Sequence, residues 1–197
     1  MKWTIESSRV LMKDRFLTLR VDRCITPAGH TVDPYYVLEG TPWVNVVALT
    51  PEGDCILVQQ YRHAVAKVVH GLPAGGVEPT DLTPLEAAHR ELLEETGHQA
   101  SVLVQVLEGD VNPASQTHSV STFLGLDAEP LQDSVLDAVE GTRVVKVPFR
   151  ELFLGTSALL PEIQIMHRAA LWAAGMHLIQ HPEVFPAVRQ QLLAPLP

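Results

Sequence analysis

Apolar and polar positions alternate along the first part of the chain and then change period. Leu17, Leu19 and Val21 alternate with Thr18, Arg20 and Asp22, the pattern of a half-buried strand. Pro27-Ala28-Gly29-His30 reads as a turn and Val32 to Leu38 as the returning strand. Trp43 to Thr50 and Cys55 to Tyr61 flank Pro51-Glu52-Gly53-Asp54, which predicts a hairpin. From Thr83 to Gly97 the period becomes helical. Thr83 can cap the helix, Pro84 suits its first position, Glu86 completes a capping box and Gly97 stands where a terminating glycine belongs. Short strands are expected near Val102–Leu107, Ser119–Leu126 and Arg143–Val147. The last forty residues read as helical: Pro161 lies near a helix start, and Ile165, Ala169, Trp172 and Met176 form a stripe expected to pack against the core. No repeat, low-complexity tract or long linker interrupts the order β-rich, helix, β-rich, helix. That order predicts an α+β fold or a layered α/β/α sandwich.

On a wheel of about 100° per residue, Leu85, Ala88, Leu92, Leu93 and Thr96 share one side of the helix. Arg90, Glu91, Glu94 and Glu95 share the other. Like charges at these spacings repel, and an i,i+4 pair between Arg90 and Glu94 offsets part of the repulsion. A solvated acidic face is the plain reading. Just before the helix, however, lies Leu72-Pro73-Ala74-Gly75-Gly76, whose small residues let backbone approach an ion or ligand closely. Clustered glutamates beside such a loop outline a hard-cation site. Oxygen ligands of this kind suit Mg²⁺ shared with substrate phosphates.

Composition narrows the partners. The chain has 197 residues, 14 Lys+Arg and 23 Asp+Glu, for a net charge of −9, and its length fits one domain, or one domain with a modest appendage. Nucleic acid and anionic membrane both reward a basic face, so neither is expected as a partner. Yet six acidic residues between Glu78 and Glu95 face only Arg90, so five of the nine net charges lie in one segment. Bound cations would turn that segment into a site for an anionic substrate. Cys24 and Cys55 make neither a disulfide framework nor a zinc pattern. No apolar leader opens the chain, and Ala169–Ile179 is too short to span a bilayer, so a soluble, reduced, cytoplasmic protein is expected.

The segment Gly76 to His98 resembles the Nudix box, G-x5-E-x7-R-E-U-x-E-E-x-G-U with U aliphatic. Gly76, Arg90, Glu91, Leu92, Glu94, Glu95 and Gly97 fall in register. Leu82 stands at the first glutamate position with Asp81 one residue earlier, and His98 replaces the closing aliphatic residue. Val58-Gln59-Gln60-Tyr61-Arg62 and Leu72-Pro73-Ala74-Gly75 resemble the "EQYR … ELPAG" pattern of ADP-ribose pyrophosphatase-like and nucleotide-sugar Nudix hydrolases, with Gly71 in place of the usual Glu. Asn112 to Thr117 resembles a segment of the same group, and residues 1–42 resemble its β-rich arm more loosely.

The resemblance implies a Nudix-type α/β/α sandwich with a mixed sheet over residues 43–197, and an antiparallel arm over 1–42 that can build a homodimer. It implies hydrolysis of a nucleoside diphosphate linked to X, with ADP-ribose or a nucleotide sugar first in order. Mg²⁺, or Mn²⁺, would be held by Glu91 and Glu95, with Glu94 auxiliary and the Ala74 carbonyl as a further ligand. Arg90 would orient the carboxylates. Arg62, Gly75 and Gly76 would meet the substrate, and Arg62 reads equally as a structural residue paired with a carboxylate. Glu140 is the expected catalytic base, then Asp137; a box glutamate is the alternative. Trp3, Tyr36 and Trp43 can stack a base, although each aromatic is more often core. His63, His70, His89, His98 and His118 lack metal-ligand spacing and read as ordinary. Two other functions compete: a non-catalytic ADP-ribose or nucleotide sensor, motivated by Leu82 and Gly71, and a hydrolase of dinucleoside polyphosphates, coenzyme A or capped RNA.

Overall fold

The structure, a computed structural model, describes residues 1–15, 17–132 and 142–194. It divides into two compact units, one of Met1–Pro42 with Gly109–Val120 and one of Trp43–Glu108 with Ser121–Pro197.

In the first unit, β1 (Thr4–Lys13), β2 (Thr18–Ile25) and β3 (Thr31–Glu39) form an antiparallel sheet in chain order. The alternating run read from sequence is β2, with Val21 and Cys24 buried. The predicted turn closes through the Thr26 amide on the His30 carbonyl at 2.9 Å, and Gly29 supplies the φ of +81° it needs. Residues 112–117 turn back beside β3: Leu38 N–H donates to the Ser115 carbonyl at 2.8 Å, and Thr117 N–H to the Leu38 carbonyl at 3.1 Å. Every residue of β1 is exposed, among them Ile5, Val10, Leu11 and Met12.

The second unit begins with β4 (Trp43–Ala48), β5 (Asp54–Arg62), β6 (Lys67–Gly71) and β7 (Ala74–Gly76), followed by α1 (Pro84–Thr96). Then come β8 (His98–Gln99), β9 (Val102–Asp110), β10 (Ser119–Leu126), β11 (Glu129–Pro130) and β12 (Arg143–Pro148). Helices α2 (Phe149–Leu154), α3 (Ile165–Gln180) and α4 (Pro186–Leu193) complete it. The strand orders are β7-β4-β10-β9 and β12-β5-β6. The two-residue period of a strand explains how these layers are covered. Val44, Val46 and Ala48 of β4, Ile56 of β5 and Phe123 of β10 pack with Ala87, Ala88 and Leu92 of α1. The alternate residues Val47, Leu57 and Leu124 pack with Leu152 of α2, Leu171 and Leu178 of α3 and Leu192 of α4. Strands covered by helices on both faces make the α/β/α sandwich of an α+β protein.

Two expectations fail here. The predicted hairpin has its turn, with Thr50 N–H on the Asp54 carbonyl at 2.9 Å and Gly53 at φ +91°, but only Leu49 and Cys55 bridge. Beyond that bridge the strands part, because each has other neighbours: β4 lies between β7 and β10, β5 between β12 and β6. The stripe of Ile165, Ala169 and Trp172 faces outward, with Trp172 61% exposed. α3 buries His167, Ala170, Leu171, Ala174, Gly175 and Leu178 instead. The helix is apolar nearly all round, so spacing alone fits either face. Small residues decide which one packs: a β-carbon at Gly175 would sit 2.1 Å from the Phe153 ring.

Candidate active site

The site is built on α1 and the segment leading into it. Thr83 Oγ1 accepts the Glu86 amide at 3.2 Å, Pro84 opens the helix, and Gly97 ends it at φ +70°. The reciprocal half of the predicted capping box is displaced. The Glu86 carboxylate accepts the Leu82 amide at 2.8 Å, one residue before the cap.

The wheel reading of α1 is also corrected. Leu85 is exposed, while Glu91 is buried beside Ala87, Ala88, Leu92 and Thr96. A buried carboxylate fits because Gly75 faces it. A β-carbon at Gly75 would lie 2.0 Å from Glu91 Oε1, inside contact distance. Burial raises the Glu91 pKa, an effect opposed but not cancelled by Arg90.

Arg90 is the hub of the site. Its Nη1 donates to Glu91 at 2.8 Å and to Glu94 at 3.2 Å. Its Nη2 donates to the Gly76 carbonyl and to Asp81, each at 2.9 Å, and its Nε reaches Asp81 at 3.2 Å. The fork on Asp81 is bidentate, the strong geometry for a guanidinium and a carboxylate. Hydrogen bonds from Arg90, then from the Glu78 amide, hold the Asp81 pKa below the usual range. Leu82, at the glutamate position of the pattern, is 85% exposed and takes no part. Asp81 therefore supplies, one residue early, a carboxylate for Arg90.

Glu95 turns toward the preceding segment and accepts the Ala74 amide at 2.9 Å. Strand β7 pairs with β4, Ala74 opposite Asn45 and Gly75 opposite Val44, which fixes the backbone of residues 74–76. Glu91, Glu95, Gly75, Gly76 and Ala74 thus come together around Arg90, with Glu94 at the exposed end. Among the described residues, no three carboxylate, imidazole or thiol side chains are gathered into a ready metal cage. Arg90 and the Ala74 amide engage the carboxylates instead. The donors still suit a hard divalent cation, since they are oxygens on one helical face beside a backbone held open by glycine.

Arg62 lies at the exposed end of β5, and no carboxylate among the described residues pairs with it. Glu140 and Asp137 lie outside the described residues. Trp3, Tyr36 and Trp43 are exposed rather than core; Trp3 meets Tyr35 edge-on with ring centroids 5.9 Å apart. His98 is buried, its Nδ1 2.7 Å from the Thr96 carbonyl, and burial lowers its pKa, so a neutral ring fills the aliphatic position. Sequence reading gave no role to His70 or His167. His70 is buried between Gln59, at 3.2 Å, and Glu162, at 2.8 Å. His167 accepts the Leu72 amide at 3.0 Å. The one available signal was Gly71, a residue small enough for a ring to press against it.

Comparison with known proteins identifies the family. The NUDIX domain family matches residues 41–161, and the nucleoside diphosphate sugar hydrolase N-terminal domain matches residues 3–38. The chain belongs to the Nudix family. It is 34% identical over 118 residues to an ADP-ribose pyrophosphatase of Mycobacterium tuberculosis, covering 60% of this chain and 56% of that one. It is 32% identical over 109 residues to an ADP-ribose pyrophosphatase of Bacillus subtilis, covering 55% and 58%. The matched stretch therefore spans little more than half of either relative. A methanol dehydrogenase activator of Bacillus methanolicus is 30% identical over 150 residues, 71% of this chain and 77% of that one. The crystal structure of an ADP compounds hydrolase superposes with a TM-score of 0.80 at 21% identity, covering 93% of this chain and 98% of that chain. At that identity the likeness supports the fold.

Proposed function

We propose that the protein hydrolyses the pyrophosphate bond of a nucleoside diphosphate linked to X, with ADP-ribose first and nucleotide sugars second. One observation carries the reading: Arg90 ties Glu91, Glu94, Asp81 and the Gly76 carbonyl into one frame. Such a frame fixes negative charge at a point where backbone can approach a phosphate. The two ADP-ribose pyrophosphatase relatives and the nucleoside diphosphate sugar hydrolase arm support the choice of substrates.

Glu91 and Glu95 would hold Mg²⁺ or Mn²⁺, with Glu94 and the Ala74 carbonyl beside them. The cation, when bound, neutralises diphosphate charge and lowers the pKa of water. Arg90 keeps the carboxylates oriented in competition with their mutual repulsion. The Gly75 and Gly76 backbone would meet the diphosphate, and Arg62, with no carboxylate partner among the described residues, is free to meet its charge. Glu140 is proposed as the base from its place in the sequence.

The test is a panel of ADP-ribose, a nucleotide sugar and a diadenosine polyphosphate with Mg²⁺ or Mn²⁺. ADP-ribose cleavage that disappears in Glu91→Gln and Glu95→Gln is expected. No cleavage of any compound, or unchanged cleavage in both variants, defeats the reading. A second reading, a regulator of another enzyme, draws on the activator relative. Tight ADP-ribose binding without turnover would favour it.

The exposed apolar side chains of β1, on a sheet edge, support a homodimer formed through the first unit. Light scattering should give twice the chain mass; a monomer at micromolar concentration counts against it. Cytoplasmic location is proposed on the two free, buried cysteines. Among the described residues, no helix is long and apolar enough to cross a membrane.

A further inference from the structure

Residues 71–76 cross from one sheet to the other. Gly71 ends its ladder opposite Val58, and Ala74 begins the next opposite Asn45. Between these ladders each backbone group needs another partner. The Pro73 carbonyl accepts the Val46 amide at 3.0 Å, and the Ala74 amide donates to Glu95 at 2.9 Å. The remaining donor, the Leu72 amide, is buried and goes to Nδ1 of His167 at 3.0 Å. His167 comes from α3, far along the chain, and its Nε2 lies 2.8 Å from Gln164 Nε2, so Nε2–H can donate to Gln164 once that amide group is turned to present its oxygen.

The backbone beside the ring makes room for it. Gly71 has no side chain where one would intrude: its β-carbon would stand 3.0 Å from His167 Nδ1 and 3.1 Å from Cε1. The imidazole is also held neutral, its pKa pushed down to about 4 by burial and then by the Arg62 charge. A neutral ring has one accepting nitrogen, and here it faces the amide.

We propose that His167 is a positioning residue for the metal-binding segment: its Nδ1 fixes the Leu72 amide, and through residues 72–74 fixes where the Ala74 backbone stands relative to Glu95. The proposal rests on the reading of Ala74, Glu91 and Glu95 as cation ligands. It adds that α3, which carries none of the Nudix box, sets the affinity of that site. Groups one step removed from metal ligands commonly change metal affinity by about 10- to 100-fold when lost.

The experiment compares His167→Asn, His167→Gln and His167→Leu in the full chain. Mn²⁺ binding is followed by electron paramagnetic resonance, and ADP-ribose turnover is followed against Mg²⁺ concentration. Asn places its carbonyl oxygen where Nδ1 was; Gln, nearer in size to His, places it where Nε2 was. The expected result is an Asn variant within about threefold of the parent, and Gln and Leu variants binding Mn²⁺ about 10-fold or more weakly. In the latter, kcat and the Mg²⁺ midpoint should move while KM for the nucleotide holds. Gln equal to or better than Asn would show a space-filling role and overturn the proposal. So would all variants matching the parent. Should the Leu variant fail to fold, the Asn and Gln pair still decides. A parent that binds Mn²⁺ but cleaves nothing would remove the hydrolase reading, while the Mn²⁺ comparison would still judge His167.

Discussion

Arg23 and Arg90 do the same thing in different surroundings. Arg23, on β2, joins Glu6 of β1 to Asp33 of β3, the latter at 2.9 Å. All three side chains are about half exposed. Arg90, on α1, joins Asp81, Glu91 and Glu94, but its own side chain is 20% exposed and those of Asp81 and Glu91 are 7% and 12%. Water and salt screen the first cluster. The second is partly desolvated, so each partner lost there leaves another unpaired. The first cluster is one contact among many in a hydrogen-bonded sheet. The second gathers three carboxylates on one partly desolvated guanidinium, the condition expected of a chemical site rather than of a scaffold.

The sharpest break between the two regions should come from Glu91→Gln. Removing a carboxylate proposed to hold the cation should take away several kcal/mol of charge stabilisation, so activity should fall on the order of 10³-fold. Stability should move the other way. Burial raises the Glu91 pKa, so its neutral form is favoured by folding and its charged form is disfavoured as pH rises through that value. Gln keeps an oxygen for Arg90 without the charge. The metal-free variant should therefore melt above the parent at pH 7, with the gap closing toward pH 4. A lower melting temperature at neutral pH would mean the Arg90 pair outweighs desolvation.

His167 tests the same region by acid. Its pKa is near 4 in the fold against about 6.5 in an unfolded chain, so the unfolded state binds the proton first. Stability should fall as pH drops from about 6.5 to 4, by up to about 3 kcal/mol from this residue alone. Denaturant titrations of the parent and His167→Asn over that range should converge as the parent loses its advantage. Parallel curves would show that the ring takes its proton in the fold.

A smaller effect is expected at the displaced carboxylate. Asp81→Asn should lower activity about 10-fold or more, because Arg90 loses its bidentate partner and Glu91 its restraint. Adding Leu82→Glu, which returns a carboxylate to the family position, should recover part of the loss. No recovery would mean that the loop holds position 82 too far out, as its exposure suggests.

How much of this was legible follows from range. The helix, its cap, its glycine stop and the Arg90–Glu94 pair are local, and local spacing predicted them. The burial of Glu91 was not, because it depends on Gly75 of β7, on a separate element. The wheel placed Glu91 with solvent for want of that neighbour. The strands 43–48 and 54–62 were found, but not their separation into two sheets, since a turn fixes only the first bridge. On α3 an apolar residue occurs at nearly every position, so periodicity had nothing to select. His167 was passed over for the same reason: its partner, the Leu72 amide, is 95 residues away. The family resemblance placed Asp81 one residue before the missing glutamate. Only the fold shows Asp81 gripping Arg90 while Leu82 faces water.

The smallest effect should come from Arg23→Ala, and its smallness is what makes the comparison useful. The Arg23 cluster ties three strands whose backbones already pair from Thr4 to Ile25 and from Thr18 to Glu39. Deleting it removes screened attractions and leaves Glu6 and Asp33 solvated, not stranded. Turnover should stay within about twofold of the parent, and any drop in melting temperature should shrink as salt is raised toward about 1 M, where screening reaches about 3 Å. Because β1 is exposed throughout, the dimer proposed through this sheet gives the variant one further readout. A particle mass in solution halved by Arg23→Ala would move these charges from the surface of one chain to a contact between two. A large loss of activity with the mass unchanged would instead mean that the first unit contributes to the site directly, and the contrast between the two arginines would fail.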